Sequence, residues 1–311
     1  MPDTPWTIGR LLTWTTDFLR DKEADSPRLD AELLLAHARG CPRIELYTAY
    51  EEIAGEPLRR TFRELVRKRA AGMPVAYLVG QREFFSLPFH VSAEVLIPRP
   101  ETELLVVRTL DLARSLKQEL AINESLRIAD VGTGCGNVAI SVARHLPRSR
   151  ITAIDISESA LSVAHDNAQR HEVASRIHLV CGDLFALGTA SGTPAVQTPN
   201  AESTDNMDFH MIVSNPPYVT TEEMEQLPNT VSQYEPHLAL DGGEGGTRVI
   251  ERLVHQAIER LCPRGWLLIE VGPSIAERVE QLISAMPAWK LHATEKDLAG
   301  HPRVVQARKR S

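Results

Sequence analysis

The sequence reads RIADVGTGCG from Arg127 to Gly136. Residues 127–131 form a short run that is mostly apolar and is followed by turn residues, a pattern that predicts a buried strand. The glycines after it allow the backbone to come close to a ligand, and the start of a following helix offers free N–H groups. This segment therefore predicts a strand, a tight turn and a helix that together form one wall of a binding site.

Strand and helix patterns alternate on the C-terminal side of this turn. Further strands are predicted at Arg150–Asp155, Ile177–Cys181, Phe209–Ser214 and Trp266–Val271. Such alternation predicts an α/β fold whose parallel sheet is covered by helices on both faces. Lys290–Thr294 and Arg303–Arg308 have no long helix between them, so we expect these last two strands to pair antiparallel at the sheet edge.

Residues 1–80 show helical periodicity instead. Pro27 and Gly40 bracket one predicted helix, because proline suits the first turn and glycine the position just past the end. The pattern changes near Arg82, where apolar residues alternate from Phe85 to Val91. We therefore predict a small all-α domain at 1–80, a β-hairpin linker at 81–100 and an α/β domain at 101–311. Within the latter, Gly188–Met207 is interpreted as a flexible surface insertion.

Composition limits the possible functions. The chain has 311 residues, a net charge of −7, and a hydrophobic fraction of 43%, so it can bury a sizeable core. The acidic balance disfavours stable binding of nucleic acid, which depends on clustered lysine and arginine. No apolar run is long enough for a membrane span, and the first residues do not resemble an export signal. We expect a cytoplasmic protein, and the four scattered cysteines indicate neither disulfides nor a metal site.

One acid, Asp155, ends the second predicted strand of this domain, and another, Asp183, follows the third. Asp155 can accept hydrogen bonds from both hydroxyls of a ribose, and Asp183 can face the edge of a nucleobase. Together with the glycine turn they indicate an adenosyl ligand, although a tight turn without a ligand remains the alternative. The spacing Gly-x-Gly-x-Gly, with Asp130 two residues ahead, favours S-adenosylmethionine over NAD, whose pattern is Gly-x-Gly-x-x-Gly.

A second motif, Ile212-Val213-Ser214-Asn215-Pro216-Pro217-Tyr218, ends the fourth predicted strand. Prolines lack an N–H and keep the backbone extended, so the carbonyl groups here are free to accept hydrogen bonds. The side-chain oxygen of Asn215 and the carbonyl of Pro216 can hold the two hydrogens of a planar –NH2 group, on which Tyr218 can stack. The alternative is an ordinary turn in which Tyr218 fills the core.

This pair of motifs resembles those of class I N-methyltransferases that act on planar amines. Four further segments narrow the resemblance to the release-factor glutamine methyltransferase family: 89–91 (FHV), 95–103 (VLIPRPETE), 235–243 (EPHLALDGG) and 270–272 (EVG). The resemblance covers almost the whole chain. It implies a Rossmann-like class I methyltransferase fold with a seven-stranded sheet, preceded by a helical domain that docks the substrate.

The resemblance also implies the reaction and its partners. The family methylates the side-chain amide of the glutamine in the Gly-Gly-Gln motif of class 1 peptide chain release factors, and releases S-adenosylhomocysteine. Cofactor contacts are expected from Gly132, Thr133, Gly134, Cys135, Gly136, Asp155, Asp183, Leu184 and Asn215. The glutamine is expected to be held by Asn215, Pro216, Pro217 and Tyr218, with Asn215, Pro216 and Tyr218 as the catalytic set. Leu184 departs from relatives that place an aromatic residue against the adenine.

The resemblance further implies that Arg99 to Thr102 form part of the wall of the cleft; a plain loop after a strand is the alternative. We expect no catalytic histidine, cysteine or metal, because an activated methyl group needs alignment with the nitrogen rather than a strong base. An adenine-N6 or cytosine-N4 DNA methyltransferase is the main alternative, since a similar motif can hold a flipped base. The many acids of the first domain disfavour it. A non-catalytic adenosyl-binding adaptor is a second alternative, which intact Asn215 and Tyr218 disfavour.

Overall fold

A computed structural model describes residues 5–119, 125–186 and 208–311. The chain divides into two compact units. The first comprises Met1–Gln81 with Pro228–Tyr234, and the second comprises Arg82–Leu227 with Glu235–Ser311. The insertion predicted at Gly188–Met207 lies outside the described residues. Within the described ranges, no helix has both the length and the apolar character that crossing a membrane requires.

The first unit is helical, as its periodicity predicted. Its helices are α1 (Ile8–Arg20), α2 (Pro27–Arg39), α3 (Glu45–Thr48), α4 (Glu56–Ala70) and α5 (Val75–Val79). Thr7 caps α1 by accepting a hydrogen bond from the backbone of Arg10, and Gly40 ends α2 at a φ of 71°. Their apolar faces form one core, which includes Ile8, Leu12, Leu34, Leu35, Leu46 and Phe62.

A hairpin follows, formed by β1 (Gln81–Phe84) and β2 (Leu87–His90). Phe85 and Ser86 connect the strands with φ values of 51° and 58°, a two-residue turn whose twist matches that of a hairpin. The predicted hairpin is therefore present, but Phe85, which the alternation placed in a strand, lies in the turn. Its backbone N–H donates to Glu103 Oε1 at 2.8 Å, a contact with a residue 18 positions away that local patterns do not indicate.

The remaining strands are β3 (Leu126–Val131), β4 (Ser149–Asp155), β5 (Ile177–Cys181), β6 (Phe209–Ser214), β7 (Val219–Thr220), β8 (Asp241–Gly243), β9 (Leu261–Glu270), β10 (Trp289–Leu291), β11 (Glu295–Lys296) and β12 (Pro302–Lys309). The main sheet has the order β10-β12-β9-β6-β3-β4-β5, and the short β11 pairs with β12. Strands β3, β4, β5, β6 and β9 are parallel, whereas β12 and β10 pair antiparallel as predicted. The expected class I methyltransferase architecture is thus confirmed.

The order of the strands determines where a ligand can bind. The chain builds β3, β4 and β5 outward on one side and then returns to place β6 on the other side of β3. Ligands of open α/β sheets bind at the carboxyl ends of the strands beside such a reversal. Here those ends are Val131 and Ser214, which are paired in register.

The second unit also contains α6 (Glu103–Glu119), α7 (Asn137–His145), α8 (Glu158–Arg170), α9 (Thr221–Met224), α11 (Arg248–Arg260) and α12 (Ala276–Ser284), while α10 (Asn229–Ser232) belongs to the first unit. Two groups of helices pack on the sheet: α6, α7 and α8 contact one another in sequence, and α11 contacts α12. Ile212, Leu267 and Val305, on neighbouring strands, are completely buried beneath this cover.

We expect Leu267→Ala to lower the free energy of unfolding by about 2–5 kcal/mol, because it removes a fully buried side chain and leaves a cavity in a packed sheet. The same substitution at the fully exposed Leu298 is the matched control and should cost less than about 0.5 kcal/mol. Urea unfolding measures both. Equal losses for the two variants would contradict the described core.

Candidate active site

The glycine turn between β3 and α7 is held in place by a buried acid. Asp130 Oδ2 accepts hydrogen bonds from the Thr133 hydroxyl at 2.7 Å and from the backbone of Ala139 at 3.1 Å. Burial raises the pKa of Asp130 to about 6. Gly136 has a φ of 82°, in the left-handed region that favours glycine, and a Cβ there would lie 2.9 Å from the end of the Ile140 side chain. The two hydrogen bonds to Asp130 therefore fix the shape of the turn.

Asp155, at the end of β4, contacts the same turn. Its Oδ2 accepts from the Gly134 N–H at 2.8 Å, and its Oδ1 accepts from the Ser157 N–H at 3.0 Å. Burial raises the pKa of Asp155, while these backbone hydrogen bonds oppose that shift. Each carboxylate oxygen has a second lone pair, so Asp155 can bind the backbone and still accept hydroxyl groups of a ligand.

Asp183 and Leu184 follow β5. The Asp183 carboxylate pairs with Arg252 of α11 at 2.7 Å, and both side chains are about half exposed. Leu184 is buried and has a φ of 58°, in the left-handed region that favours glycine. The partner of Asp183 in this structure is an arginine, which the sequence analysis did not consider.

Asn215 directly follows β6. Its Nδ2 donates to the Thr102 hydroxyl oxygen at 3.1 Å, which leaves its Oδ1 as the side-chain atom that can accept a hydrogen bond from a ligand. Pro216 and Pro217 come next and have no N–H to donate. All three residues line the same cavity.

Tyr218 has a different environment from its neighbours. Its ring is partly buried against the main core and lies beside Gly272, where a Cβ would be 3.1 Å from the ring. Tyr218 is not among the residues that line the cavity, in contrast to Asn215 and the two prolines. Burial raises the pKa of Tyr218 to about 12, so its hydroxyl remains protonated at neutral pH.

A loop between the hairpin and α6 forms another wall, from Glu94 to Thr102. Arg99 and Thr102 both line the cavity. Glu235, whose side chain is 1% exposed, holds this wall: it accepts from the Ile97 backbone at 3.2 Å and pairs with Arg99 at 2.5 Å. Glu235 therefore ties the wall to a loop far away in the sequence.

These walls enclose one cavity of about 780 Å³, a size typical of small-molecule sites. Of the residues expected to contact a cofactor, the cavity is lined by Gly132, Thr133, Gly134, Cys135, Asp155, Asp183, Leu184 and Asn215. Gly136 shapes the turn but does not line the cavity. Among residues 5–119, 125–186 and 208–311, no cluster of histidine, cysteine or acidic side chains could hold a metal ion.

One buried acid behind the cavity was missed by the sequence analysis as a site residue. Glu270 ends β9 and is 2% exposed. It forms a hydrogen bond with the Thr102 side chain, and burial raises its pKa to about 7. The signal that could have indicated it is an acid closing an otherwise apolar strand, WLLIE at residues 266–270, where a charge is costly unless it has a partner.

Comparison with known proteins identifies the family. Residues 10–80 match the model of the PrmC N-terminal domain, and residues 108–244 match that of the methyltransferase small domain. The chain is 45% identical over 307 residues to the release factor glutamine methyltransferase of Rhodopirellula baltica, covering 99% of this chain and 98% of that protein. The chain belongs to the release factor glutamine methyltransferase family. This confirms the family inferred from the motifs.

Other members of the family match nearly as completely. The release factor glutamine methyltransferase of Koribacter versatilis is 39% identical over 292 residues, 94% of each chain. That of Chlorobaculum tepidum is 41% identical over 280 residues, 90% of each chain. The similarity therefore extends through both units and not only through the part that contains the cavity.

Glu270 should make the stability of this family member depend on pH. A group whose pKa is raised on folding stabilises the folded state at low pH, and this contribution is lost as pH rises from its unfolded value of about 4.5 to its folded value of about 7. We therefore expect Glu270→Gln to become progressively more stable than the wild type between about pH 5 and about pH 8. Asp130 titrates in both proteins, so its effect cancels.

Urea unfolding at several pH values measures this difference. The control is Glu259→Gln, which makes the same change at an exposed position of α11 and should follow the wild-type profile. Parallel profiles for the wild type and Glu270→Gln would contradict the raised pKa.

Proposed function

We propose that this protein transfers a methyl group from S-adenosylmethionine to the side-chain amide nitrogen of the glutamine in the Gly-Gly-Gln motif of class 1 peptide chain release factors. The products are N5-methylglutamine and S-adenosylhomocysteine, with one amide proton released. The observation that carries this proposal is the 45% identity to a release factor glutamine methyltransferase across 99% of the chain.

The geometry at Asn215 supports an amide as the methyl acceptor. The Asn215 Nδ2 group donates to Thr102, so Oδ1 remains available to a ligand. The carbonyl of the next residue, Pro216, which also lines the cavity, is proposed as the second acceptor. A primary amide has two N–H hydrogens in one plane, and these two oxygens can accept one each. Pro217 is proposed to complete the glutamine site. Tyr218, which the sequence motif also assigns to it, does not line the cavity and packs against the core beside Gly272, so its proposed part is to support this wall.

The cavity suits the adenosyl cofactor. Gly134 has a φ of 54°, and a side chain at this position would meet no atom within 4 Å, so the turn leaves open space on the cavity side. Gly132, Thr133 and Cys135 line the same wall. Asp155 keeps lone pairs for ribose hydroxyls beyond its two backbone contacts, and Asp183 with Leu184 is proposed to bind the adenine.

S-adenosylmethionine supplies a methyl group that is already activated by the positive charge of its sulfur. The chain therefore has to position the amide nitrogen rather than deprotonate it strongly. Asn215 Oδ1 and the Pro216 carbonyl orient the nitrogen, and both oxygens also stabilise the positive charge that develops on it during methyl transfer. Alignment of this kind lowers barriers by up to about 7–11 kcal/mol in well-oriented systems.

We expect Asp155→Ala to weaken cofactor binding by about tenfold or more, because it removes charged acceptors from the ribose site and releases the Gly134 N–H. Calorimetric titration with S-adenosylhomocysteine measures this effect. Asp166→Ala is the matched control, since Asp166 is exposed on α8 and does not line the cavity. Unchanged affinity of Asp155→Ala would remove Asp155 from the cofactor site.

We expect Asn215→Ala to reduce methyl transfer by about a hundredfold or more while cofactor binding is retained, because the substrate amide loses one of its two acceptors. The assay follows labelled methyl groups into a purified release factor and locates them by mass spectrometry. Asn229→Ala, at an exposed residue of α10, is the control variant.

Duplex DNA serves as the competing substrate in the same assay. Label on the Gly-Gly-Gln glutamine with none on DNA supports the proposed function. Label on DNA alone would instead establish a nucleic-acid methyltransferase, and full activity of Asn215→Ala would refute the role of its side chain.

A further inference from the structure

Three side chains from separate elements come together at one wall of the cavity. Thr102 immediately precedes α6, Asn215 immediately follows β6, and Glu270 is the last residue of β9. Strands β6 and β9 are parallel, and their register pairs Ser214 with Ile269. The residue after Ser214 is Asn215, and the residue after Ile269 is Glu270. The register of the two strands therefore brings Asn215 and Glu270 to the same level of the sheet.

Hydrogen bonds join the three residues. Asn215 Nδ2 donates to Thr102 Oγ1 at 3.1 Å. Burial raises the pKa of Glu270, and a side-chain hydrogen bond with Thr102 opposes that shift, so the Thr102 hydroxyl is the donor when the acid is ionised. Thr102 is 1% exposed and Glu270 is 2% exposed, so water does not compete for these groups. Of the three, only Asn215 and Thr102 line the cavity.

The direction of these hydrogen bonds determines how the Asn215 amide is oriented. A hydroxyl group has a single hydrogen, and an ionised carboxylate can only accept. Because Thr102 gives its hydrogen to Glu270, its oxygen can only accept from Asn215. The Asn215 –NH2 group must therefore face Thr102, and its oxygen must face away from Thr102.

We propose that Thr102 and Glu270 are positioning residues that hold the Asn215 side chain in the one orientation that presents Oδ1 to the methyl acceptor. The inference rests on the proposed function and adds to it two residues that are not among the cofactor and glutamine contacts proposed above. Without them the carboxamide can rotate by half a turn. Its –NH2 group would then face the –NH2 group of the substrate, and two donors would oppose each other.

A purely structural role does not account for Glu270. Its Oε2 atom is buried and has no hydrogen-bond partner among the described residues. Leaving a carboxylate oxygen in this state is costly, and an apolar side chain would pack at the end of β9 without that cost. Glu270 therefore lowers the stability of the fold at a position next to the cavity wall. A residue that lowers stability at such a position is expected to be retained for function.

The decisive comparison is between Thr102→Val and Thr102→Ser. Valine keeps the shape of threonine but removes the hydroxyl, whereas serine keeps the hydroxyl and loses the methyl group. We expect Thr102→Val to lower kcat for methylation of a release factor by about tenfold to a hundredfold, as small misplacements of reacting groups do. Thr102→Ser should remain near the wild type, and the KM for S-adenosylmethionine should stay unchanged in both.

Thr109→Val is the control, because Thr109 is equally buried, lies on α6, and donates its hydroxyl only to the backbone of Leu105. It should leave kcat unchanged. All assays are run at about pH 8, above the folded pKa of Glu270, so that its carboxyl group can only accept. If packing alone were important, Thr102→Ser would be the impaired variant, and that result would overturn the inference.

A double-mutant cycle tests the part of Glu270. Glutamine at position 270 can also donate to Thr102, so Glu270→Gln should lower kcat by itself. Glu270→Gln should add no further loss in the Thr102→Val background, because the path through the hydroxyl is already broken. Independent, multiplying losses would overturn the role assigned to Glu270.

Assays of the wild type distinguish a failure of the positioning role from a failure of the proposed function. Methyl transfer by the wild type together with a fully active Thr102→Val overturns the positioning role and leaves the proposed function intact. No transfer to any release factor by the folded, cofactor-binding wild type overturns the proposed function, and the inference with it.

Discussion

Parallel pairing of β3, β4, β6 and β9 is the constraint on which the site depends. It brings the carboxyl ends of these strands to one edge, where Asp130, Asp155, Asn215 and Glu270 meet although up to 140 residues separate them in the chain. A slip of one residue in any of these strands would turn its side chains to the opposite face. The apolar interior of the sheet, which includes Ile212 and Leu267, opposes such a slip.

Buried acids then convert this edge into defined loops. Asp130 holds the glycine turn, Glu235 holds the wall that contains Arg99, and Glu270 lies behind Asn215. A buried carboxylate is stable only when donors reach it, so each acid constrains the segments that supply those donors. These acids therefore fix the loops that line the cavity.

Much of the architecture could be predicted because local patterns dictate it. The strands ending at Asp155 and Ser214 were placed correctly, since apolar runs bounded by turn residues have few other solutions. The alternation of apolar residues wrongly predicted a strand at Phe85. This residue lies in a left-handed turn, a conformation that few bulky residues adopt, and its backbone contacts Glu103. Local patterns also gave no indication that Asp183 pairs with Arg252, a residue of a helix 69 positions away.

Sequence alone determined the family and the alternation of strands and helices along the chain, and it predicted the residues that would accept hydrogen bonds from an amide, because these follow from residue types and short spacings. Only the tertiary structure decided that the Asn215 –NH2 group is bound by Thr102, which leaves the oxygen as the atom proposed to face a ligand. In that proposal the choice depends on Thr102, which precedes α6, and on Glu270, which the register of β6 and β9 brings beside Asn215. A side-chain amide has two chemically different ends of nearly the same shape, and only its neighbours in space can distinguish them.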